Sequence, residues 1–402
     1  MNKTHIKARY IALTLSSLAL VISLFMASCS KEEVVGMPVI KSVRLTDPAT
    51  AGQSLTSTTL GKGLVIEGTN LGTTKRVYLN DFEYVINPVY ATDNNIVLVI
   101  DDKTPTVATD PKVTNKIRVV TAGGEASYDF TILPPAPIID SLSNEFANVG
   151  DKITLYGSYF FFIDKVVFPG NVAATSVVPA TDGKTCVVTV PAGATTAGNI
   201  SMTTKSGTSA NTAYTSFRDA SGVFLDFDKK NTLAPWGPMP IVANASKNSA
   251  ISNLTGDYLW WNQQGVVAGS GWESNLATPI AGNASNWPAI ADNTPLTDLE
   301  LRFELNVNGV WKSGQVEINM GAWALGKYYW SPWTAKADKQ INTNGWTTFR
   351  IPLINTPFKT ATYADIKGKE IDLFFQNTSP EKGGVKVDVN WGWDNFRIVK
   401  IK

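Results

Sequence analysis

Histidine is almost absent from this sequence of 402 residues, which contains a single one, His5. Because His5 lies in a basic N-terminal segment that we expect to be removed, the remaining chain would hold no histidine. Ser-His-Asp triads, Cys-His pairs and zinc or iron sites with histidine ligands all require an imidazole. The sequence therefore excludes these kinds of catalytic site and metal site.

Clustered positive charge is missing as well. The chain has 35 Lys and Arg residues against 34 Asp and Glu residues, without a basic block. Proteins that bind nucleic acid gain affinity from clustered positive charges that release counterions, so we expect no nucleic-acid partner. Long runs of helix-forming Leu, Glu, Lys and Ala are also lacking, whereas Val, Thr, Ile, Gly and Asn are abundant. This composition predicts an all-β chain with many turns.

Cysteine occurs only twice, at Cys29 and Cys186. Cys29 follows the apolar stretch "IALTLSSLALVISLFMAS", which has the layout of a secretory signal peptide. The run into Cys29 resembles a bacterial lipobox, in which the cysteine is lipidated, and "SKEE" after it resembles the signal for the outer face of the outer membrane. We therefore predict a lipoprotein signal peptide at 1–28, a tether at 29–37 and a lipid-anchored protein exposed on the cell outer membrane. Cys186 lies in the apolar run "KTCVVTV", which predicts a buried, inert thiol.

Two segments after the tether share one order of motifs. Residues 38–133 open with "PVIKSV" and contain "LVIEGTNLG", and residues 136–218 open with "PIIDSL" and contain "ITLYGSYFF". Short alternating strands with Gly, Asn and Asp turns are typical of an immunoglobulin-like sandwich. The shared order resembles the IPT/TIG family of immunoglobulin-like domains. Neither segment contains tryptophan, histidine or clustered carboxylates, so we expect both to be spacers, joined by the stiff run "LPPAP".

Tryptophan is confined to the last part of the chain, since all twelve tryptophans follow Ser221. Alternating strands such as "LELRFELNV", "GQVEINMGAW" and "EIDLFFQN" run through this part and predict a two-sheet, jelly-roll-like sandwich at 221–402. Trp391 and Trp393 are two positions apart and should share one interior face. The predicted fold class is therefore all-β, with tandem immunoglobulin-like (IPT/TIG) sandwiches followed by a jelly-roll-like carbohydrate-binding β-sandwich.

Several tryptophans lie in runs that favour loops. The run "GKYYWSPW" places four aromatic rings in the six positions 328–333. Gly326 precedes these rings and Pro332 interrupts them, and glycine and proline predict a loop there. Exposed aromatic rings lower the solubility of a protein, so a soluble protein tends to carry a cluster of them only where a ligand or a partner binds. Flat rings stack on the C–H faces of pyranose sugars, and side-chain amides bond their hydroxyls. We therefore predict glycan contacts from Trp236, Gln263, Trp287, Asn319, Tyr329, Trp330 and Trp333.

The layout as a whole resembles the surface glycan-binding protein B family of polysaccharide utilisation loci. The resemblance rests on the domain order and on "FLDFD", "YLWWNQQG", "GWTTFRIPL" and "WDNFRIV". It implies a non-catalytic protein that captures a polysaccharide, xyloglucan or another plant β-glucan or hemicellulose, for uptake and degradation. It further implies that Tyr329 and Trp330 form an adjacent platform pair, with Trp287 as a third ring. The implied partners are a TonB-dependent transporter with its SusD-like lipoprotein, and surface glycosidases.

Two other functions remain open at this point. Glycoside hydrolases and lyases also use jelly rolls, and they need two carboxylates on one site. Glu370 and Asp372 in "EIDLFFQN" would share one strand face, although no third acid follows them. An adhesin for a protein partner is the other alternative, because protein interfaces are also enriched in Trp and Tyr.

No cofactor is expected. One structural calcium remains an alternative, because Asp226, Asp228 and Asp394 lie near the two ends of the last domain, where oxygen ligands often hold such an ion. The simpler interpretation of these three residues is that their carboxylates cap turns.

Overall fold

The computed structural model describes residues 35–228, 241–267, 275–281, 287–377 and 386–402. The chain divides into two compact units, Met1–Leu133 and Pro134–Lys402. Both consist of β-strands joined by turns and short 3-10 helices, so the predicted all-β fold class is confirmed. Among the described residues, no helix is long and apolar enough to span a membrane.

The first unit is a sandwich of two antiparallel sheets. Its strands are β1 Val39–Leu45, β2 Ser57–Thr59, β3 Gly63–Thr69, β4 Thr74–Leu79, β5 Phe82–Tyr84, β6 Asn95–Val99, β7 Lys116–Thr121, β8 Gly124–Asp129 and β9 Thr131–Leu133, with 3-10 helices at Pro48–Thr50 and Pro88–Tyr90. One sheet has the order β1-β3-β6, the other β5-β4-β7-β8, and β2 pairs with β9. Alternate residues such as Leu64, Ile66, Val77 and Leu79 point into the core between the sheets.

The second unit begins with another sandwich of the same kind. Its strands are β10 Ile138–Leu142, β11 Lys152–Ser158, β12 Ile163–Phe168, β13 Val172–Ala173, β14 Val177–Pro179, β15 Thr185–Thr189, β16 Gly198–Asn199, β17 Ser201–Thr204, β18 Gly207–Thr208 and β19 Ser216–Phe217. The sheet β10-β11-β15-β14 packs against β13-β12-β17-β18. Cys186 is fully buried between them, and burial raises the pKa of its thiol to about 11. The prediction of a buried thiol is confirmed, and its lack of reactivity stays a prediction that the raised pKa supports.

The C-terminal sandwich completes the second unit. Its strands are β20 Val223–Leu225, β21 Ile241–Ala243, β22 Tyr258–Val266, β23 Asn275–Ala281, β24 Leu299–Val307, β25 Gln315–Asn319, β26 Lys327–Trp330, β27 Thr347–Pro352, β28 Glu370–Gln376 and β29 Val387–Lys400, with 3-10 helices at Leu296–Asp298, Pro332–Ala335, Leu353–Asn355, Pro357–Thr360 and Tyr363–Asp365. We call the sheet β21-β22-β29-β24-β27, with β20 beside β29, the back sheet. We call the sheet β23-β28-β25-β26 the front sheet.

Much of the tryptophan of this domain fills the core between the two sheets. Trp391 and Trp393 on β29 are buried, as their spacing predicted, and so is Trp261 on β22. Trp311 lies against Trp391, with ring centroids 4.5 Å apart. The tryptophan content is therefore largely a property of the core, and exposure decides which rings are available to a ligand.

Candidate functional site

The outward face of the front sheet gathers polar and aromatic side chains. Strands β25 and β28 are adjacent and antiparallel, and their interior positions, such as Ile318 and Leu373, belong to the core. The alternate positions must therefore point outward. We call this outward surface the front face, and it carries Gln315, Glu317, Asn319, Lys327, Tyr329, Glu370, Asp372, Phe374 and Gln376.

Two aromatic rings stand exposed along the β26 side of the front face. Trp323 is 47% exposed and Tyr329 is 49% exposed. Trp323 follows β25 in the turn that leads to β26, and its ring meets Phe374 edge to face, with centroids 5.4 Å apart. The Lys327 ammonium lies 5.4 Å from the centroid of the Trp323 ring. An indole held in this way presents a fixed apolar surface to a ligand.

The backbone that carries Trp323 is in a conformation that side chains rarely adopt. Ala322 has φ +53° and Trp323 has φ +71°, both in the left-handed region. Such a conformation is unfavourable for a bulky residue, and strained positions of this kind concentrate at binding and catalytic sites. The Ala322 N–H donates to the Glu370 carbonyl over 3.0 Å, which ties the turn to β28.

The carboxylate of Glu317 lies at the centre of the front face and is almost fully buried. Lys327 Nζ lies 2.9 Å from its Oε1, and Asn319 Nδ2 donates to the same oxygen over 3.1 Å. Gln376 Nε2 donates to its Oε2 over 2.8 Å. Both oxygens of Glu317 therefore have donors from the protein.

Asp372 lies on the neighbouring strand β28, and its carboxyl group differs from that of Glu317 in its pKa and in its hydrogen bonds. Burial, the charge of Glu370 and a hydrogen bond with Glu370 raise the pKa of Asp372 to about 7, and a hydrogen bond from Trp323 lowers it in part. Among the described residues, Asn319 Oδ1 and Asp372 Oδ2 are buried and have no hydrogen-bond partner. An unsatisfied buried acceptor costs about 1–3 kcal/mol. The front face therefore contains two buried acceptors that the described part of the protein leaves without donors.

Two of the predicted glycan-binding residues lie on this face. Tyr329 is exposed and stands directly opposite Glu317 on the neighbouring strand. Asn319 is opposite Asp372. Both belong to the front face, and their contact with a glycan stays a prediction.

The predicted aromatic platform is wrong in two of its three rings. "GKYYWSPW" is not a loop, because Lys327–Trp330 forms the edge strand β26 and Pro332–Ala335 a 3-10 helix. Adjacent residues of a strand point to opposite faces. Trp330 therefore points inward, where it is 7% exposed and packs edge to face on Phe303. Trp287 is likewise 7% exposed and stacks on Phe224, with ring centroids 4.4 Å apart.

The remaining predicted positions lie elsewhere. Trp333 is half-buried, packs against the core and donates its indole N–H to the Gly314 carbonyl over 2.8 Å. Gln263 belongs to β22 of the back sheet, where it is half-buried opposite the core residue Val389, so it does not share the front face. Trp236 and Cys29 lie outside the described residues.

The sequence interpretation missed Trp323 as a site residue, and it considered Asp372 only as a catalytic candidate. The polar alternation of "QVEIN" and "EIDLFFQ" did indicate one polar face on each strand. What could not be read was that β25 and β28 are neighbours, which joins these two polar rows into one surface.

The three aspartates considered for calcium all have protein donors. The amide of Asp228 donates to Asp226 Oδ1 over 3.1 Å, and the amide of Asp257 donates to Asp228 Oδ1 over 2.8 Å. Asp394 accepts from Thr255 Oγ1 over 3.1 Å. Within the described ranges there is no group of three or more Asp, Glu, His or Cys side chains placed to hold a metal ion.

Comparison with known proteins finds a family that the C-terminal domain is similar to. Residues 217–400 match the family described as surface glycan-binding protein B xyloglucan binding domain, so the resemblance inferred from the sequence is confirmed there. A curated relative, an IPT/TIG domain-containing protein of Bacteroides ovatus, is 32% identical over 161 residues, which are 39% of this chain and 33% of the relative. The match thus spans about a third of the length of that relative.

Solved structures show a similar fold along most of the chain. The surface glycan-binding protein PbSGBP-B of Prevotella bryantii is similar with a TM-score of 0.63 and 20% identity, over 91% of this chain and 99% of that one. SGBP-B from a complex xyloglucan utilization locus in Bacteroides uniformis gives a TM-score of 0.54 at 20% identity, over 91% of this chain and 100% of that one. These similarities support the tandem sandwich architecture.

Proposed function

We propose that this chain is a non-catalytic, cell-surface lipoprotein whose front face binds a neutral plant polysaccharide, xyloglucan or another β-glucan or hemicellulose, and captures it for uptake and degradation. The match of residues 217–400 to a xyloglucan-binding domain family supports this class of ligand.

One observation carries the proposal. The exposed rings of Trp323 and Tyr329 stand on the same face as Asn319 Oδ1 and Asp372 Oδ2, which lack partners among the described residues. A pyranose has an apolar C–H face and a rim of hydroxyl groups. Its C–H face can stack on the rings while its hydroxyls exchange hydrogen bonds with the polar side chains of the front face.

An exposed face of this kind favours modest affinity at each site. A ligand on a sheet surface buries less of itself than a ligand in a deep pocket, so fewer contacts offset the loss of its freedom. A long polysaccharide gains affinity by engaging several copies on one cell surface, through effective concentration. Anchoring through Cys29 and delivery to a transporter complex with surface glycosidases complete the proposed role.

Isothermal titration calorimetry of the full chain tests the proposal. The panel is xyloglucan, mixed-linkage β-glucan, mannan and starch, and we expect heat with one of the first two. Trp323→Ala should weaken binding roughly 10-fold or more, as removal of a central aromatic contact usually does. Tyr156→Ala is the matched control, because Tyr156 is 44% exposed on the preceding domain, away from the front face.

The outcomes separate the parts of the proposal. The absence of heat with every glycan would reject glycan binding and favour a protein partner. Binding that persists unchanged in Trp323→Ala would keep the function but move the site away from the front face. Equal losses in Trp323→Ala and Tyr156→Ala would show an effect that is not local.

A glycoside hydrolase is the second candidate, because Asp372 has the raised pKa expected of a general acid. Its geometry is unfavourable. Glu370 lies two positions from Asp372 on one strand and interacts with it closely enough to raise its pKa, whereas the two carboxylates of a retaining enzyme stand about 5 Å apart and those of an inverting enzyme farther. Chromatography of the titrated polysaccharide should therefore show chains of unchanged length, and shortened chains would establish hydrolysis.

A further inference from the structure

The second immunoglobulin-like sandwich, β10 to β19, and the C-terminal sandwich lie in one compact unit. We propose that these two domains unfold as a single body. The reason is that Glu145, which belongs to the second immunoglobulin-like sandwich, neutralises a row of buried arginines on the outward face of the back sheet. The second immunoglobulin-like domain is then a structural part of the glycan receptor, not an independent spacer.

The row of arginines follows from the strand register. Arg350 on β27 is directly opposite Arg302 on β24, and Arg302 is directly opposite Arg397 on β29. Arg302 is 0% exposed and Arg397 is 1% exposed. Adjacent buried cations are strongly unfavourable unless carboxylates compensate them.

Two of the compensating carboxylates come from the same strand as Arg302. Glu300 Oε2 lies 2.9 Å from Arg302 Nη2, and Glu304 Oε2 lies 2.8 Å from Arg397 Nη1. These two acids balance two of the three arginines. Among the described residues, the third arginine, Arg350, has no salt bridge to either of these two acids.

Glu145 supplies the third carboxylate from the neighbouring domain. Its Oε1 is 3.0 Å from Arg302 Nη1 and 3.7 Å from Arg350 Nε, and its Oε2 is 2.7 Å from Arg397 Nη2. Burial raises the pKa of Glu145, but the three arginines lower it by more, so the pKa lies below its ordinary value. The arginines therefore favour the ionised form of Glu145, which contacts all three of them.

The backbone and the apolar groups around Glu145 extend the interface. The Thr348 N–H donates to the Ser143 carbonyl over 2.8 Å, which joins a back-sheet strand to the other domain by a main-chain bond. Thr348 Oγ1 accepts from the Glu145 N–H over 2.8 Å. Next to Glu145, Phe146 packs with Val223 and Leu254 in a small core of its own. The charged network is thus enclosed by hydrogen bonds and apolar contacts.

The position of the tryptophans allows a direct test on the full chain. All twelve follow Ser221, so tryptophan fluorescence during thermal unfolding reports the C-terminal sandwich and not the domain that contains Glu145. If the two domains form one body, Glu145→Gln should lower the fluorescence midpoint by roughly 10 °C, because it leaves a buried charge uncompensated. Asp164→Asn, which alters an exposed carboxylate of the same domain, should change it by about 1–2 °C at most.

A second pair of variants keeps the proposal testable if Glu145→Gln does not fold. Arg350 makes the longest contact with Glu145, and Arg350→Gln would leave two arginines for Glu300 and Glu304 to balance. Glu145→Gln combined with Arg350→Gln should therefore recover part of the lost midpoint, or restore folding. A fluorescence midpoint in Glu145→Gln equal to that of Asp164→Asn would overturn the proposal. A double variant no more stable than Glu145→Gln would overturn it as well.

Discussion

The two outward faces of the C-terminal sandwich are built from similar residues, but the buried polar side chains of the two faces differ in the partners they have. Each carries charged side chains that are almost fully buried, Arg302, Arg397 and Glu304 on the back sheet and Glu317 and Asp372 on the front sheet. On the back sheet, each of the three arginines has a carboxylate partner. On the front face, Asn319 and Asp372 each keep an acceptor without a partner among the described residues.

This difference separates a structural interface from the surface that we propose binds the polysaccharide. Buried charges are strongly unfavourable unless opposite charges compensate them, and on the back sheet Glu145 of the neighbouring domain contacts all three arginines. The front face tolerates unsatisfied acceptors and a strained turn at Trp323, both of which cost stability. Strained positions concentrate at functional sites, so the exposed rings and the strained turn at Trp323 distinguish the front face better than composition does.

The largest effect is expected from a single change on the back sheet. Arg397→Ala removes the partner of Glu145 and Glu304 and leaves two buried carboxylates close together. The free energy of unfolding should fall by about 3–5 kcal/mol. Urea unfolding followed by tryptophan fluorescence measures this loss. Lys367→Ala, which breaks the more exposed Lys367–Asp292 pair, is the control and should cost about 1 kcal/mol or less. Equal losses of free energy of unfolding in the two variants would show that the buried network of the back sheet contributes no more than an exposed ion pair.

An intermediate effect, of opposite sign, is expected at Asp372. Its folded pKa of about 7 lies above the ordinary value of 3.8, so between these values the folded chain holds a proton that the unfolded chain has lost. The free energy of unfolding therefore falls as the pH rises from about 4 to about 7, and this part of the loss is complete above pH 7. Asparagine cannot release a proton in this range, so the free energy of unfolding of Asp372→Asn should not fall in this way. The neighbouring charged residues Glu370, Glu317 and Lys327 are unchanged in this variant.

The variant should match the wild type near pH 4 and exceed it by about 4 kcal/mol at pH 8. Urea unfolding at the two pH values measures the difference. Asp388→Asn, on an exposed carboxylate of β29, should show the same difference from wild type at both pH values. A gain at Asp372 that does not depend on pH would show that its carboxyl is not the group that titrates.

The sequence predicted local periodicity well and contacts between distant segments poorly. The spacing of Trp391 and Trp393 was enough to place both inside, because alternation along a strand is a local property. Trp330 was misplaced because glycine and proline flank a short edge strand, which is identified only by its pairing with β25. The role of Glu145 could not be read, since its partners Arg302 and Arg397 are 157 and 252 positions away.

The smallest effect on stability is expected from Tyr329→Ala, and it sharpens the contrast between neighbouring residues of one strand. Tyr329 is 49% exposed, so its removal should change the free energy of unfolding by no more than about 0.5 kcal/mol. Trp330→Ala, its neighbour in the core, should cost about 3–5 kcal/mol. Urea unfolding of the two variants gives both values. A loss at Tyr329 as large as that at Trp330 would mean that the front face is held together by its aromatic residues. A small loss of stability accompanied by weaker binding of the polysaccharide would show that Tyr329 is kept on the surface for the ligand.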